Sequence, residues 1–139
     1  MNQFVLDTDM LSLYQRGHPT VCQRIQAHPL IEIAITVITV EEQLSGWYRL
    51  LRSARQPPQI ASVYQRLAHA IPVLAHFPIL PFPEPAIRRV EGLVALKLNI
   101  GRMDLRIAAI TLEYAAILVT RNTRDFARVP GLVTQDWTI

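Results

Sequence analysis

The sequence predicts an α/β fold with a mainly parallel sheet covered by helices on both faces. Three observations carry that class. Residues 4–6, 31–38 and 116–119 are apolar or β-branched almost throughout, as in strands buried on both faces. Between them lie stretches whose apolar residues recur at helical spacing. Strands that alternate with helices argue for parallel pairing through helical crossovers. At 139 residues without a linker, a repeat or a low-complexity stretch, the chain is expected to form a single domain, 1–139.

The elements follow in order. Phe4, Val5 and Leu6 make the first strand, and Asp9 or Ser12 can start a short helical turn that ends near Gly17. A helix through Val21 and Ile25 fits between Pro19 and Pro29. Residues 31–38 read as the second strand, broken at Thr39. Val40, Leu44, Trp47 and Leu51 define the next helix, with Arg49, Arg52 and Arg55 off that stripe. After Pro57-Pro58, a long stripe runs through Ile60, Val63, Tyr64, Leu67, Ile71 and Leu74. Residues 77–82, bracketed by prolines, suit a short strand near a sheet edge. Pro85 suits a helix first turn, and Ile87, Val90, Val94 and Leu98 continue that helix towards Asn99 or Gly101. Asp104 is placed to open a helix through Ile107, Ala108, Leu112 and Ala115. Residues 116–119 and 132–134 complete the strands.

Composition narrows the function classes. Half the residues are apolar and 18% are charged, the balance of a compact domain. The formal charge is +3, and Lys97 is the sole lysine among fourteen basic residues, so arginine supplies the positive charge. Guanidinium forks suit phosphate, which tilts the expected partner towards a phosphate-bearing one. Cys22 is single, and neither it nor the four histidines have a metal-ligand spacing. No apolar run approaches the roughly 20 residues that span a bilayer. Asp7 and Asp9 interrupt the N-terminal apolar run, so no signal peptide is read and a cytoplasmic protein is expected.

The chemistry is concentrated in four acids. Asp7 ends the first strand, Glu42 follows the second, Asp104 sits at a helix start, and Asp125 follows the 117–119 strand. In a parallel sheet the carboxyl ends share one rim, where such folds place their sites. Four carboxylates on one rim repel one another, which raises their pKa values. A hard divalent cation such as Mg²⁺ or Mn²⁺ relieves that repulsion with oxygen ligands. Each acid also has a plain structural role available. Thr39-x-x-Glu42 has capping-box spacing, Asp104 suits an N-cap, Asn122-x-x-Asp125 suits a cap with a first-turn acid, and Asp7 or Asp9 can cap the turn after the strand. Capping explains each residue singly but not why acids recur after successive buried strands. Arg102, Arg106, Arg121 and Arg124 flank the two C-terminal acids and offer either a solvated basic face or a track for a phosphate backbone. No G-x-G-x-x-G or Walker A loop occurs, and no Ser or Cys nucleophile stands near a suitable histidine.

Four blocks together resemble a known family. They are Leu6-Asp7-Thr8-Asp9, residues 39–46 (Thr-Val-Glu-Glu-Gln-Leu-Ser-Gly), residues 104–109 (Asp-Leu-Arg-Ile-Ala-Ala), and residues 120–126 (Thr-Arg-Asn-Thr-Arg-Asp-Phe). In this order they resemble PIN-domain ribonucleases, and most closely the VapC-type toxins of toxin–antitoxin pairs, across nearly the whole chain. The resemblance implies a three-layer α/β/α sandwich, a homodimer and a small antitoxin that occludes the site. It implies a Mg²⁺- or Mn²⁺-dependent endoribonuclease whose acids fall on Asp7, Glu42, Asp104 and Asp125, with Thr120 and Asn122 as polar helpers. Asp9 stands where the family often has Asn or Ser, and is expected to assist.

Two other classes remain open. Apolar residues followed by Asp-x-Asp also open phosphatases of the haloacid dehalogenase type. Those usually continue with Gly-Thr, whereas Met10-Leu11 follow here, and their downstream lysine has only Lys97, inside an expected helix, to match it. A trapped aspartyl-phosphate on Asp7 identifies that class. A PIN-like module that binds RNA or a partner without cutting is the non-enzymatic alternative, marked by loss of acids, and all four are present.

Overall fold

The structure is a computed structural model that describes residues 3–139. Five parallel strands form its centre in the order β3-β2-β1-β4-β5. They are β1 (Phe4–Leu6), β2 (Ile33–Thr36), β3 (Ile79–Leu80), β4 (Ile117–Val119) and β5 (Thr134–Gln135). Helices α1 (Thr8–Gln15) and α2 (Pro19–Gln26) follow β1. Next come α3 (Val37–Ser53) and α4 (Pro57–His76), then α5 (Glu84–Ala95), α6 (Arg102–Glu113) and the short α7 (Thr123–Phe126).

Strand alternation sorts the side chains into two cores. Val5, Ala34 and Leu118 face one side, where they meet Ala86 and Leu93 of α5 and Ile107, Ala108 and Ile110 of α6. Phe4, Leu6, Ile33, Ile35 and Val119 face the other, against Met10 and Leu11 of α1, Val21 and Ile25 of α2, Leu74 of α4 and Trp137. The result is the three-layer sandwich, with every strand parallel. Because both faces of β1, β2 and β4 are covered, these strands carry no polar alternation, and the buried runs in the sequence are explained.

The switch point of the sheet lies at β1, whose neighbours β2 and β4 lead away in opposite directions. Leu6 pairs with Val119, and the Asp7 N–H donates to the Val119 carbonyl at 3.0 Å. The next residues, Asp7 and Thr120, therefore emerge side by side at the carboxyl rim.

Several boundaries differ from those expected. The 31–38 run splits into a 3-10 turn at Leu30–Glu32, a four-residue strand, and the first turn of α3. Thr36 Oγ1 accepts from the Thr39 N–H at 3.3 Å and caps α3, so Val37 and Ile38 are helical despite their β-branching. An apolar run does not by itself tell a buried strand from a buried helix start. The Thr39 capping box does not form, because Thr39 is already inside the helix. Helix α6 starts earlier than Asp104, with Gly101 as N-cap and Asp104 in the first turn. Helix α1 starts at Thr8 rather than at Asp9 or Ser12, with Asp7, one of the two caps expected, in that role. The last strand lies at Thr134–Gln135 rather than 132–134, since Leu132 packs against the core and Thr134 pairs with Leu118.

Candidate active site

A cleft of about 440 Å³ opens at the carboxyl rim, lined by Asp7, Thr8, Asp9, Ser12, Glu42, Asp104, Arg121, Asn122 and Phe126. Four elements build it. Asp7 sits in the β1–α1 junction, Glu42 in the second turn of α3, Asp104 in the first turn of α6, and Asn122 at the cap position of α7.

Asp7 is the deepest of these acids, 5% exposed. Its Oδ1 accepts from the Met10 N–H at 2.8 Å, which closes the α1 cap, and the Thr120 hydroxyl bonds its carboxylate. Burial nevertheless raises its pKa to about 6, with the charges of Asp9 and Asp104 adding to the rise. Asp104 is also raised, first by burial and then by the charges of Glu42 and Asp125. The acids of the rim therefore sense one another, and Asp104 is the residue that links them.

Glu42 reaches the rim because threonines guide it. Thr8 Oγ1 donates to Glu42 Oε1 at 2.6 Å, and Thr8 Oγ1 lies 2.9 Å from Thr39 Oγ1. A hydroxyl has one proton, so with Thr8 donating to Glu42, Thr39 donates to Thr8. The chain Thr39–Thr8–Glu42 ties α3 to the start of α1. Sequence reasoning missed Thr8, Thr39 and Ser12 as parts of the site. The available signals were the hydroxyl between Asp7 and Asp9 and the Thr-x-x-Glu spacing, which read equally well as a capping box.

Asp125 is placed differently. Its Oδ2 accepts from Asn122 Nδ2 at 3.1 Å, and its Oδ1 lies 3.3 Å from Arg128 Nη2. The side chain does not line the cleft, whereas Asn122 does. Arg128 Nη1 also donates to the carbonyls of Leu98 and Asn99, so the Asp125–Arg128 pair braces the loop that leads into α6. Asp9 accepts two hydrogen bonds from Arg121 across the mouth of the cleft, Nε to Oδ2 at 2.7 Å and Nη2 to Oδ1 at 3.1 Å. Of the flanking arginines, Arg121 alone lines the cleft. Arg106 lies over the Phe82 ring, 5.8 Å from its centroid, and Arg102 and Arg124 are exposed.

The donor set is entirely carboxylate and hydroxyl oxygen, which fits a hard divalent cation rather than a thiolate- or imidazole-loving one. Neighbouring negative charges that raise the pKa values of Asp7 and Asp104 fit the same ion. Among the described residues, however, no three His, Cys, Asp or Glu side chains are drawn together as a closed ligand group. Among them, too, no helix is long and apolar enough to cross a membrane.

Comparison with known proteins agrees with the geometry. The PIN domain family model matches residues 4–132. The ribonuclease VapC1 of Haemophilus influenzae strain R2866 is 27% identical over 142 residues, covering 97% of this chain and 98% of its own. The tRNA(fMet)-specific endonuclease VapC of Shigella flexneri is 27% identical over 143 residues, covering 99% of both chains. Among solved structures, a chain of DNA-bound VapBC from Salmonella typhimurium superposes with a TM-score of 0.79 at 22% identity, covering 99% of each chain. A chain of a toxin–antitoxin complex from Klebsiella pneumoniae gives 0.71 at 26% identity, covering 95% of this chain and 97% of that one. With a matching family model over nearly its full length, and the acids of the rim gathered on a parallel sheet, the chain belongs to the PIN domain family.

Proposed function

We propose that the chain is a metal-dependent endoribonuclease and the toxin of a toxin–antitoxin pair. The observation that carries the reading is the convergence of Asp7, Glu42 and Asp104, from three separate elements, on one cleft at the switch point of the sheet. Relatives that bear the names ribonuclease and endonuclease support the reaction class, and structural neighbours that are toxin–antitoxin complexes support the partner class.

Asp7, Glu42 and Asp104 would hold Mg²⁺ or Mn²⁺, with Asp125 completing the four-acid set through its charge on Asp104 and its hold on Asn122. When bound, the cation supplies Lewis acidity, lowering the pKa of water and offsetting charge on the phosphoryl oxygens. Thr120 holds the Asp7 carboxylate and Thr8 holds Glu42, so these two acids are each fixed by a hydroxyl. Water attacks phosphorus in line, the bond to the 3′ oxygen breaks, and the products carry a 5′-phosphate and a 3′-hydroxyl. Arg121 contacts the RNA backbone from the cleft wall, and Arg102, Arg106 and Arg124 extend that contact over α6 and α7. The protein acts in the cytoplasm as a homodimer, held inactive by a small antitoxin that covers the cleft.

The alternative reading is a module that binds RNA without cutting it. One experiment decides between the two. Purified protein is incubated with total RNA in Mn²⁺, Mg²⁺ or EDTA, beside Asp7→Asn and Asp104→Asn variants shown to be folded. The nuclease reading expects cleavage only with metal and only by the unsubstituted chain. Undiminished cleavage by both variants overturns the site, and RNA binding without any cleavage overturns the reaction.

A further inference from the structure

Arg121 stands in an unfavourable place to stay extended. It follows Thr120, whose hydroxyl bonds Asp7, and it lines the same cleft as Asp7, Glu42 and Asp104. Coulombic attraction draws an unrestrained guanidinium in that cleft towards those carboxylates. Asp9 offers it a different partner. It takes the Nε–Nη2 edge of Arg121 in a two-pronged pair at 2.7 and 3.1 Å, from the first turn of α1. The pair joins the β1–α1 junction to the end of β4, 112 residues away in sequence. Both side chains remain about half exposed, at 53% for Arg121 and 42% for Asp9, so the arrangement adds little to stability. Its consequence is orientation. The N–H groups of Nη1, and the second one of Nη2, are left free of Asp9 at the mouth of the cleft. A planar fork with one edge held and the other open suits a phosphate oxygen.

We propose that Asp9 is a positioning residue that holds Arg121 clear of the cleft's carboxylates and presents it to a backbone phosphate of the RNA. The proposal rests on reading the cleft as a nuclease site and deepens it. It gives Asp9 a role opposite to the one its charge suggests: a negative residue that strengthens the binding of a polyanion.

A double-mutant cycle in RNA binding tests this. The full-length protein and its Asp9→Ala, Arg121→Ala and doubly substituted variants are titrated into a short, fluorescein-labelled, mixed-sequence single-stranded RNA. EDTA is present to stop cleavage, and the NaCl concentration is varied. Arg121→Ala is expected to weaken binding about tenfold and to lower the salt slope by about one. Asp9→Ala is expected to weaken binding about fivefold although it removes a negative charge, and to have no effect once Arg121 is absent. Asp9→Glu, which keeps the carboxylate, recovers most of the loss. Tighter binding on Asp9→Ala in both backgrounds identifies Asp9 as a plain repulsive charge and overturns the proposal. An unchanged affinity and salt slope in Arg121→Ala overturns it as well. Cleavage in Mn²⁺ is measured on the same preparations. An intact cycle without cleavage removes the nuclease reading and leaves the Asp9–Arg121 pair standing. Cleavage without coupling removes the pair alone.

Discussion

Asp7 does two jobs that conflict: it caps α1 and it is the most buried acid of the cleft. Its pKa is raised from 3.8 to about 6, so the folded chain holds the proton more tightly than the unfolded one. The stabilisation this gives is fully present below about pH 4 and is lost as pH rises through about 6. Asp7→Asn keeps an acceptor for the Met10 N–H and removes the buried charge. It is expected to stabilise the protein in EDTA at pH 7.5 by up to about 3 kcal/mol, and by nothing at pH 4, in denaturant titrations. The same substitution is expected to abolish cleavage. At Thr8 the loss runs the other way. Thr8→Val frees Glu42 and leaves the buried Thr39 hydroxyl without its acceptor, at an expected cost of about 1 kcal/mol, with a larger fractional loss of activity. The meeting of Asp7, Glu42 and Asp104 in one cleft was legible in the sequence because Asp7 and Glu42 follow buried runs and Asp104 lies at a helix start. Thr8 and Thr39 were not, because a hydroxyl beside an acid reads first as a local cap, and their partners lie more than 30 residues away.

At the scale of the elements, helix starts deliver the side chains, and the cap that matters is not the one the spacing suggests. Thr36 caps α3 and thereby sets where Glu42 falls on the helix surface. Thr39, three residues on, belongs to the chain that ends at Glu42. Substituting each separates the roles. Thr36→Val is expected to cost about 1 kcal/mol of stability through the lost cap. Thr39→Val is expected to cost activity at nearly unchanged α3 helicity, compared by unfolding and by cleavage rate. The loop into α6 shows why boundaries were the least legible part of the fold. Lys97 and Asn99 both adopt left-handed backbone conformations, at φ 52° and 59°, without being glycine. Arg128, from beyond α7, holds that loop by the carbonyls of Leu98 and Asn99. Nothing local in residues 96–101 announces a contact made by residue 128. The three-residue strand β4, in contrast, was placed within one residue, since Leu118 and Val119 are wholly buried and the apolar run ends at Thr120-Arg121.

At the scale of the whole molecule, the parallel sheet gathers what the sequence disperses. Leu6, Thr36 and Val119 end adjacent strands, and the residues that follow them meet on one rim although they span more than 110 positions. That consequence was legible because strand–helix alternation implies parallel pairing, which puts all carboxyl ends on the same side. The order of the strands was not legible, because crossover lengths alone do not say which way the chain turns after β1. Under the proposed function, a cation bound among the gathered acids would link the cleft to global stability. Saturating Mn²⁺ at pH 7.5 is expected to raise the melting temperature by several degrees, by about 1–3 kcal/mol of linked stability. The shift shrinks at pH 5, where Asp7 and Asp104 hold protons more readily, and vanishes in Asp104→Asn. The most direct test of the nuclease site is the cleavage of RNA by the purified protein and by folded Asp7→Asn and Asp104→Asn variants, with ends mapped by sequencing. Metal-dependent cuts that leave 5′-phosphates, made by the unsubstituted chain and lost in both variants, are the predicted result; equal cutting by all three proteins would contradict it.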